Sequence, residues 1–298
     1  MQQLLKEETS MKLGFIGTGV MGAAMAGHLL AGGHELFVYN RTKSKTDALV
    51  ANGAKWAETP AKVAEQADVI FSMVGYPTDV EEIYFGETGV FSTLTAGKTV
   101  VDMTTSTPTL AAKIAVTAKK LGATGLDAPV SGGDVGAKNA ALTIMVGGDK
   151  AAYDKLLPLF KLMGTSIHLF GEAGKGQHTK MANQIMIAGT MTGMVEMMTY
   201  AKAANLPMED VLKTLSGGGA DNWSMENYAP RILAGDYTPG FFAKHFLKDL
   251  RIALDEADKM GLDLPATKEA KHLYEVMVDD KKLGNDGTQG LIKLYQEK

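Results

Sequence analysis

The sequence predicts an α/β fold in which a doubly wound parallel sheet is followed by an all-α C-terminal domain. Segments typical of strands and helices alternate from residue 11 to about residue 172, which is the pattern of a parallel sheet covered by helices. The strand signal disappears after Gly171, and helical patterns fill the remainder. A length of 298 residues is enough for two domains of roughly 150 residues each. We therefore predict a disordered leader, an α/β domain and an all-helical domain, at 1–10, 11–173 and 174–298.

Seven short segments of the first half are predicted to be strands. Asp68–Val74 is the clearest of them, because a continuous apolar run is typical of a parallel strand that is covered on both faces. The predicted strands are Lys12–Gly17, His34–Asn40, Asp68–Val74, Val100–Met103, Gly125–Ala128, Leu142–Val146 and Ile167–Phe170.

Four helices are predicted between these strands. Gly32 and Gly33 end the first helix, because glycine is a stop signal for helices. Thr59 and Thr107 each precede a proline, and a threonine N-cap followed by proline in the first turn begins a helix. The predicted helices are Val20–Ala31, Thr42–Asn52, 60–67 and Thr109–Leu121.

The second half is predicted to be helical throughout. Helical spacing continues from Lys175 to Asn205, and this long helix is apolar nearly all round, so we expect it to be buried and to link the two domains. That much apolar surface also predicts a homo-oligomer, either a homodimer or a dimer of dimers. The further predicted helices are Pro207–Leu215, Met225–Leu233, Ala243–Met260, Pro265–Asp279 and Gly287–Tyr295.

Composition excludes several classes of function. A net charge of −4 gives no electrostatic case for a nucleic-acid partner. The chain has no cysteine, which excludes disulfides, thiol nucleophiles and cysteine–metal sites, and we expect no metal site. We expect no membrane span, since about 18 consecutive apolar residues are needed and no such stretch is present. These features fit a cytoplasmic protein.

A glycine motif predicts dinucleotide binding. It follows the first strand and opens the first helix, which is the context that makes such a motif credible. Gly17 permits a tight turn, Gly19 lets the backbone approach a pyrophosphate, and Gly22 allows close packing of helix and strand. The helix N-terminus offers free N–H groups to phosphates. The residues assigned to the cofactor here are Gly17, Gly19, Val20, Met21 and Gly22.

The end of the second strand predicts which dinucleotide is bound. NAD sites usually carry an acidic residue here for the ribose 2′-hydroxyl, but this chain has Asn40, Arg41 and Thr42. A guanidinium can bind a 2′-phosphate through two hydrogen bonds. We therefore favour NADP(H) over NAD(H) and assign Asn40, Arg41 and Thr42 to the cofactor. The alternative is that Arg41 and Lys43 are solvated surface charges.

Two loops that follow later strands are candidate ligand sites, because ligands of open α/β sheets bind beyond the carboxyl ends of the strands. Thr105 and Val74 are assigned to the cofactor, although the Thr104–Thr107 segment can also be a plain helix cap. Ser131, Gly132 and Gly133 can turn a hydroxyl and several N–H groups toward one anion, and we assign them to a substrate carboxylate.

The start of the long helix carries a candidate catalytic lysine. Lys180, Asn183 and Gln184 are spaced so that all three share one helical face. A lysine on an otherwise apolar helix is unusual, and partial burial would lower its pKa and make it an acid–base group near neutral pH. We assign Lys180 to acid–base catalysis and no catalytic role to His178. The alternative is a surface lysine.

These motifs resemble those of the β-hydroxyacid dehydrogenases, which include 3-hydroxyisobutyrate dehydrogenase, tartronate semialdehyde reductase and glyoxylate/succinic semialdehyde reductases. The resemblance runs from Met11 to about Tyr295, with the four motifs in family-like order. It implies a Rossmann domain, a helical domain and an active site between them. It also implies that Lys180 is the acid–base residue, that Ser131–Gly133 hold the substrate carboxylate, and that Lys248 reaches cofactor or substrate.

Together with the NADP(H) preference indicated by Arg41, the resemblance implies an oxidoreductase that interconverts a small aldehyde acid and its hydroxy acid. Many members carry Asn-Asn after the lysine, whereas this chain has Asn183-Gln184, which leaves two candidate amides for orienting the substrate. We favour Asn183 for this catalytic role and assign Gln184 to substrate binding. Two alternatives remain: an NAD-dependent dehydrogenase of the 3-hydroxyisobutyrate type, and a non-catalytic protein that binds or senses NADPH. Lys180 argues against the second and Arg41 against the first.

Overall fold

A computed structural model describes residues 10–296 of the chain. It divides into two compact units, Met1–Lys180 and Met181–Lys298. The division falls inside one long helix, Lys175–Ala203, which continues across it. The predicted disordered leader, apart from Ser10, lies outside the described residues.

The first unit contains one mixed sheet. Its strand order is β3-β2-β1-β4-β5-β6-β8-β7, and β9 pairs with β8. Strands β1 to β6 are parallel to one another, as predicted. The strands are β1 Lys12–Ile16, β2 Glu35–Tyr39, β3 Lys55–Trp56, β4 Val69–Ser72, β5 Thr99–Asp102, β6 Thr124–Asp127, β7 Val130–Ser131, β8 Leu142–Gly148 and β9 Gly164–Leu169.

The prediction of an all-parallel sheet is wrong at one edge, where β8 runs antiparallel to β6 and β7. A parallel partner needs a crossover of a dozen or more residues, usually an α-helix across the sheet. The connection after β6 instead contains β7 and a short helix, Gly133–Lys138, which packs on the first helix of the unit. The His28 ring and the Ala137 carbonyl lie 2.9 Å apart in that contact. The chain therefore enters β8 in the reversed direction.

Helices cover both faces of the central strands. Every residue of β4 and β5 is buried. Phe71 belongs to one apolar cluster and its neighbour Ile70 to another, and Val101 and Val100 divide in the same way. Successive side chains of a strand point to opposite faces, so each cluster is the core on one side of the sheet. This confirms the doubly wound prediction.

Seven α-helices surround the sheet or lead into it in the described part of the first unit. Thr59 and Thr107 are N-caps as predicted, since their side chains accept hydrogen bonds from the Lys62 and Leu110 N–H groups. The predicted helix Thr42–Asn52 is a 3₁₀ turn followed by a short α-helix. The helices are α1 Val20–Ala31, α2 Asp47–Ala51, α3 Pro60–Gln66, α4 Pro77–Phe85, α5 Pro108–Lys120, α6 Gly133–Lys138 and α7 Lys150–Phe160.

The sequence did not predict α4, α6 or α7. Signals for two of them were present. Pro77 lies at the first position of α4 and the Asp79 carboxylate accepts the Tyr76 N–H, while the Asp149 side chain accepts the Ala152 N–H at the start of α7. For α6 no such cap exists, because glycine precedes and begins it.

The described part of the second unit contains helices and short turns and no strand of a sheet, as predicted. Its core includes Phe246, Leu250 and Tyr274, which are fully buried. The helices that follow α8, Lys175–Ala203, are α9 Met208–Leu215, α10 Trp223–Leu233, α11 Ala243–Lys259, α12 Pro265–Glu275 and α13 Lys293–Gln296.

The prediction that α8 is buried all round is wrong for the single chain. Met191 and Val195 are fully buried, whereas Met186 is 68% and Tyr200 is 74% exposed. One face of the helix therefore packs in the core and the opposite face is solvent-accessible. The homo-oligomer stays a prediction. Among residues 10–296, α8 included, no helix combines the length and the apolar character needed to cross a membrane.

The threonine cap of α3 provides a test of the fold. Thr59→Ala removes the acceptor for the Lys62 N–H, and loss of an N-cap costs about 1 kcal/mol. We expect the free energy of unfolding, measured in urea, to fall by that amount. Thr117→Ala is the matched control, because Thr117 lies inside α5 with a surface hydrogen bond to the Lys113 carbonyl, and alanine favours a helix interior. Equal losses in both variants would contradict the cap assignment.

Candidate functional site

The parallel strands of the first unit bring their last residues into one row. Ile16 pairs with Tyr39 on one side and with Ser72 on the other, Ser72 pairs with Asp102, and Asp102 pairs with Asp127. The row crosses five neighbouring strands. Each predicted ligand loop of the first unit begins directly after it, so the loops share one edge of the sheet. The sheet order reverses between β1 and β4 at this edge, which is where such sheets bind dinucleotides.

Each glycine of the first loop has a different geometric requirement. Gly17 has a φ of +95°, and a Cβ there would lie 2.2 Å from the Met73 carbonyl oxygen. A Cβ on Gly22 would lie 1.9 Å from the Gly17 carbonyl oxygen, so α1 can approach β1 only with glycine at this position. A Cβ on Gly19 would meet nothing within 4 Å, so the space outside the N-terminus of α1 is open.

The Asn40 side chain braces this glycine loop. Its Oδ1 accepts the Thr18 N–H at 3.0 Å, and its Nδ2 donates to the Thr42 carbonyl at 2.8 Å. The Thr18 hydroxyl in turn donates to the Lys45 carbonyl. The amide of Asn40 therefore joins the loop after β1 to the loop after β2, a role that its sequence motif does not predict.

Arg41 and Lys43 are exposed but have partners. The Arg41 guanidinium lies 3.2 Å from Asp79 Oδ1, and its side chain is 87% exposed. The other oxygen of Asp79 accepts the Tyr76 N–H at the start of α4. The Lys43 ammonium lies 3.8 Å from the centre of the Trp56 ring. An ion pair this exposed contributes little stability and leaves the guanidinium accessible.

A buried polar network occupies the centre of the row. The Ser72 hydroxyl donates to Asp102 Oδ1 at 2.9 Å, and the same carboxylate oxygen accepts the Thr104 N–H. The Tyr84 hydroxyl lies 3.0 Å from Ser72 Oγ, and the Thr104 hydroxyl accepts the Val74 N–H at 3.0 Å. The network thus orients the two segments that contain the predicted cofactor residues Val74 and Thr105. Both of these residues are half-buried.

Burial dominates the electrostatics of this network. Removal from water raises the pKa of Asp102 to about 6, against the lowering effect of its hydrogen bonds with Thr104 and Ser72. Its second oxygen, Oδ2, has no hydrogen-bond partner among residues 10–296. Burial and the neighbouring Asp102 also raise the pKa of Tyr84 well above its ordinary value, so this hydroxyl keeps its proton.

The predicted anion loop follows β6 and includes β7. Ser131 is half-buried, and the two glycines after it have positive φ angles of 127° for Gly132 and 62° for Gly133. Such angles favour glycine and turn the backbone sharply before α6. The structure therefore shows a sharp turn at the two glycines, and the role of Ser131, Gly132 and Gly133 in binding an anion stays a prediction.

Lys180 lies in the second turn of α8 and is 6% exposed. Asn183 and Gln184 follow it on the same helical face, Asn183 half-buried and Gln184 fully buried. A lysine is rarely this buried in a protein without a specific role. The alternative of a surface lysine is thereby excluded.

Within the second unit, a chain of polar contacts links three predicted site residues. The Asn183 amide donates to Gln184 Oε1 at 2.8 Å, and Gln184 Nε2 donates to Asp249 Oδ2 at 2.6 Å. Lys248 Nζ lies 2.9 Å from Asp249 Oδ1, and the side chains of Lys248 and Asp249 are only 12% and 1% exposed. Asp249 thereby holds both Gln184 and Lys248 in place.

Four buried polar residues have no role predicted from the sequence: Asp102, Asp127, Gln177 and Asp249. The first two were visible as acidic residues at strand ends. Gln177 lies one turn before Lys180, and Asp249 is adjacent to Lys248. Nothing in the sequence alone distinguishes these buried side chains from solvated ones. Within residues 10–296 no group of three or more His, Asp and Glu side chains has the geometry of a metal site. The absence of a metal site stays a prediction.

Two family models match adjoining parts of the chain. The model described as the NAD binding domain of 6-phosphogluconate dehydrogenase matches residues 12–171. The model described as NAD-binding of NADP-dependent 3-hydroxyisobutyrate dehydrogenase matches residues 174–295. Pyridine-nucleotide binding is therefore supported by both halves of the sequence.

Similar proteins cover nearly the full length. An uncharacterized oxidoreductase of Bacillus subtilis is 50% identical over 95% of this chain and 98% of its own. The 2-hydroxy-3-oxopropionate reductase of Escherichia coli is 40% identical over 89% of this chain and 90% of its own. The structure of 3-hydroxyisobutyrate dehydrogenase from Mycobacterium tuberculosis with L-serine has a TM-score of 0.88 at 25% identity, covering 96% of this chain and 99% of that one.

The raised pKa of Asp102 predicts how stability depends on pH. The folded-state pKa of about 6 exceeds the value of about 3.9 in an unfolded chain, so folding favours the protonated acid. Its ionisation therefore destabilises the fold as pH rises from about 4 to about 6, on the order of 2–3 kcal/mol. Asp102→Asn cannot ionise, so we expect its free energy of unfolding to gain relative to the wild type between about pH 4 and pH 7.

The measurement is urea unfolding of both proteins at the two pH values. Asp154→Asn is the matched control, because Asp154 is an exposed carboxylate that pairs with Lys150 one turn before it in α7. The control should show no such gain. A difference between Asp102→Asn and wild type that stays constant with pH would contradict the assignment.

Proposed function

Because the chain belongs to the β-hydroxyacid dehydrogenase family, we propose that it is an NADP(H)-dependent reductase of a small aldehyde acid. Membership makes it a hydroxyacid dehydrogenase with pyridine-nucleotide-binding domains. The reaction interconverts an aldehyde acid, of the semialdehyde or glyoxylate type, and the corresponding hydroxy acid. The observation that carries the proposal is Lys180, a buried amine one turn beyond the start of the helix that follows the nucleotide-binding sheet.

The glycine loop fits a dinucleotide. Gly17 and Gly22 allow the backbone of β1 and α1 to turn tightly, and the open space at Gly19 admits a pyrophosphate to the N–H groups of the helix. Val20 and Met21 supply the first N–H groups of α1. When bound, the nicotinamide supplies or accepts a hydride. We assign Val74 and Thr105, in the loops after β4 and β5, to the walls of its pocket.

Arg41 supports the choice of NADP(H). No acidic residue stands at the end of β2, where a carboxylate would bind a ribose 2′-hydroxyl and repel a 2′-phosphate. The exposed Arg41 guanidinium can form two charge-assisted hydrogen bonds with a phosphate. Asn40 and Thr42 flank it, and the Asn40 amide sets the position of this loop through Thr18.

The substrate carboxylate is assigned to the loop after β6. The hydroxyl of Ser131 and the N–H groups of Gly132 and Gly133 are donors that an anion can accept without a full positive charge. The left-handed glycines make the sharp turn that aligns such donors. This arrangement favours small acids over neutral aldehydes.

Lys180 is assigned to proton transfer. In the direction of reduction its ammonium donates a hydrogen bond and then a proton to the carbonyl oxygen, and in the reverse direction its amine removes the hydroxyl proton. A preplaced donor also stabilises the negative charge that develops on that oxygen. Asn183, held by Gln184, orients the substrate beside it.

A second candidate is an NAD-dependent dehydrogenase of a 3-hydroxy acid. The Asp79 carboxylate, 3.2 Å from Arg41, is the observation that favours it, because a negative charge there opposes a 2′-phosphate. A non-catalytic protein that senses NADPH is disfavoured by the burial of Lys180, since a sensor needs no buried amine.

The reaction is tested by oxidation of NADPH and NADH with glyoxylate, succinic semialdehyde, tartronate semialdehyde and methylmalonate semialdehyde. We expect turnover of at least one of them.

Lys180→Ala should lower kcat by about 100-fold or more, because a positioned acid–base group contributes that much. Binding of NADPH, followed by its fluorescence, should stay near that of the wild type. Lys175→Ala is the control, since Lys175 is an exposed lysine of the same helix. Comparable kcat values in the two variants would remove Lys180 from catalysis.

Cofactor choice is tested at Arg41. Arg41→Ala should lower kcat/KM for NADPH by about 10- to 100-fold, the range for losing charge-assisted hydrogen bonds, and leave the value for NADH nearly unchanged. Asp79→Asn keeps the acceptor for the Tyr76 N–H but removes the charge, so we expect it to raise the preference for NADPH several-fold.

The matched control is Lys62→Ala, which removes an exposed cation of α3 that pairs with Glu65. It should change neither cofactor's kinetics. If Arg41→Ala lowers kcat/KM for NADPH and for NADH by the same factor, the NADP(H) assignment is wrong. That result would favour the NAD-dependent dehydrogenase of a 3-hydroxy acid.

A further inference from the structure

We propose that Asp127 and Gln177 are positioning residues of the reaction: Asp127 holds the start of α8 against the end of β6, and Gln177 ties the Thr104–Ser106 loop to the turn that precedes Lys180. This inference rests on the proposed function for its kinetic test only. The contacts that carry it all lie within the first unit.

Asp127 acts as an acceptor for the first turn of α8. Its Oδ1 accepts the Gly174 N–H at 2.7 Å and its Oδ2 accepts the Gln177 N–H at 2.8 Å, and both bonds are buried. The first N–H groups of a helix have no partners in the helix itself, and they carry the positive end of its dipole. A carboxylate placed there satisfies two of these groups at once. Desolvation raises the pKa of Asp127, while these N–H bonds lower it.

The glycines around Asp127 show how close this approach is. A Cβ on Gly176 would lie 2.8 Å from Asp127 Oδ2 and 2.4 Å from the Met145 carbonyl oxygen. A Cβ on Gly147, in β8, would lie 2.6 Å from Asp127 Oδ1 and 2.7 Å from the Gly176 nitrogen. The helix start is therefore seated between β6 and β8 with no space for a side chain. Its axial position and rotation are set by backbone contacts and by one carboxylate.

The side-chain amide of Gln177 forms two hydrogen bonds with the backbone of the Thr104–Ser106 loop. Its Nε2 donates to the Thr104 carbonyl at 2.7 Å, and its Oε1 accepts the Ser106 N–H at 3.0 Å. Gln177 is fully buried, and Thr104 and Ser106 are each 1% exposed. The two bonds span Thr105, the residue assigned to the cofactor. A side chain of α8 thereby fixes the backbone on either side of Thr105.

The consequence is a fixed relation between the lysine and the cofactor loop. Gln177 and Lys180 are three residues apart in a continuous helix, so they are neighbours on one helical face. The backbone N–H of Gln177 is held by Asp127 and its side chain holds the loop of Thr105. If either of these two contacts is displaced slightly, the distance over which a proton and a hydride must be transferred to one substrate changes. Displacements of about 1 Å can lower the rate about 100-fold.

Gln177→Glu gives the sharpest test, because its side chain has the same shape and a titratable donor. When protonated, the new carboxyl group can donate to the Thr104 carbonyl and accept the Ser106 N–H, as glutamine does. When ionised, it faces the Thr104 carbonyl oxygen without a hydrogen atom. In the hydrogen-bond network, the acidic groups nearest to position 177 are Asp127 and Asp102. The nearest basic group along the helix is Lys180, one turn away. Burial beside the two acids favours the protonated form of the introduced carboxyl group.

We expect kcat of Gln177→Glu, divided by the wild-type kcat at the same pH, to be near one at about pH 5.5 and to fall about 10-fold or more by about pH 8.5. KM for NADPH should change much less than kcat, because the phosphate-binding loop is untouched. Asp127→Asn, which replaces an acceptor by an amide that cannot accept both N–H groups, should lower kcat at all pH values. Thr179→Ala is the control, since its hydroxyl forms only a surface bond to the Lys175 carbonyl in the same turn.

Amide hydrogen exchange tests the positioning without any substrate. Gln177→Leu removes the acceptor for the Ser106 N–H, so exchange in the 104–106 segment should accelerate several-fold relative to wild type and to Thr179→Ala.

Turnover by the wild type together with a pH-independent kcat ratio for Gln177→Glu would overturn the inference and leave the proposed function standing. A wild type that reduces none of the four aldehyde acids would defeat the proposed function, and unchanged exchange at 104–106 would then overturn the positioning as well. If Gln177→Leu does not fold, the exchange experiment is made on Gln177→Glu at the two pH values.

Discussion

The site of this protein depends on the alignment of five parallel strands that end in one row. Backbone hydrogen bonds set the register, so Tyr39, Ile16, Ser72, Asp102 and Asp127 lie side by side across the sheet. Every loop of the first unit with a proposed ligand begins just after this row. Parallel pairing is what allows it, because antiparallel neighbours would send alternate loops to opposite edges. The helices on both faces then bury the central strands of the row.

Burial raises the pKa of both carboxylates of the row, but the two carboxylates differ in their hydrogen-bond partners. Asp102 has one oxygen that accepts two hydrogen bonds and another with no partner among the described residues, and burial raises its pKa to about 6. Asp127 is nearly as enclosed, but each of its oxygens accepts a backbone N–H from the start of α8. A carboxylate with such donors is compensated for its loss of water, whereas a partly satisfied one retains much of the cost. Asp102 is therefore a source of pH-dependent stability. Asp127 joins β6 to the helix of the proposed catalytic lysine.

Glycine marks the places where backbone segments approach most closely. Gly22 admits α1 to the turn after β1, and Gly147 and Gly176 admit α8 to the gap beside Asp127. In each case a methyl group would collide with a backbone atom, which cannot rotate away as a side chain can. The same physical requirement thus serves both the nucleotide loop and the helix that carries Lys180. It explains why two glycine-containing segments far apart in sequence are needed around one sheet edge.

The sequence by itself determined the features that depend on neighbouring residues. Apolar runs located the central strands, Thr59 and Thr107 with their prolines located two helix starts, and the glycine motif located the nucleotide loop, because each signal lies within a few residues of its effect. The direction of β8, the exposed face of α8 and the partners of Asp102, Asp127, Gln177 and Asp249 could not be predicted in this way. Those depend on contacts between segments separated by tens of residues, such as the 50 that separate Asp127 from Gln177. Only the tertiary structure decided which polar side chains are buried and paired, since burial is a property of the packed chain and not of any one segment.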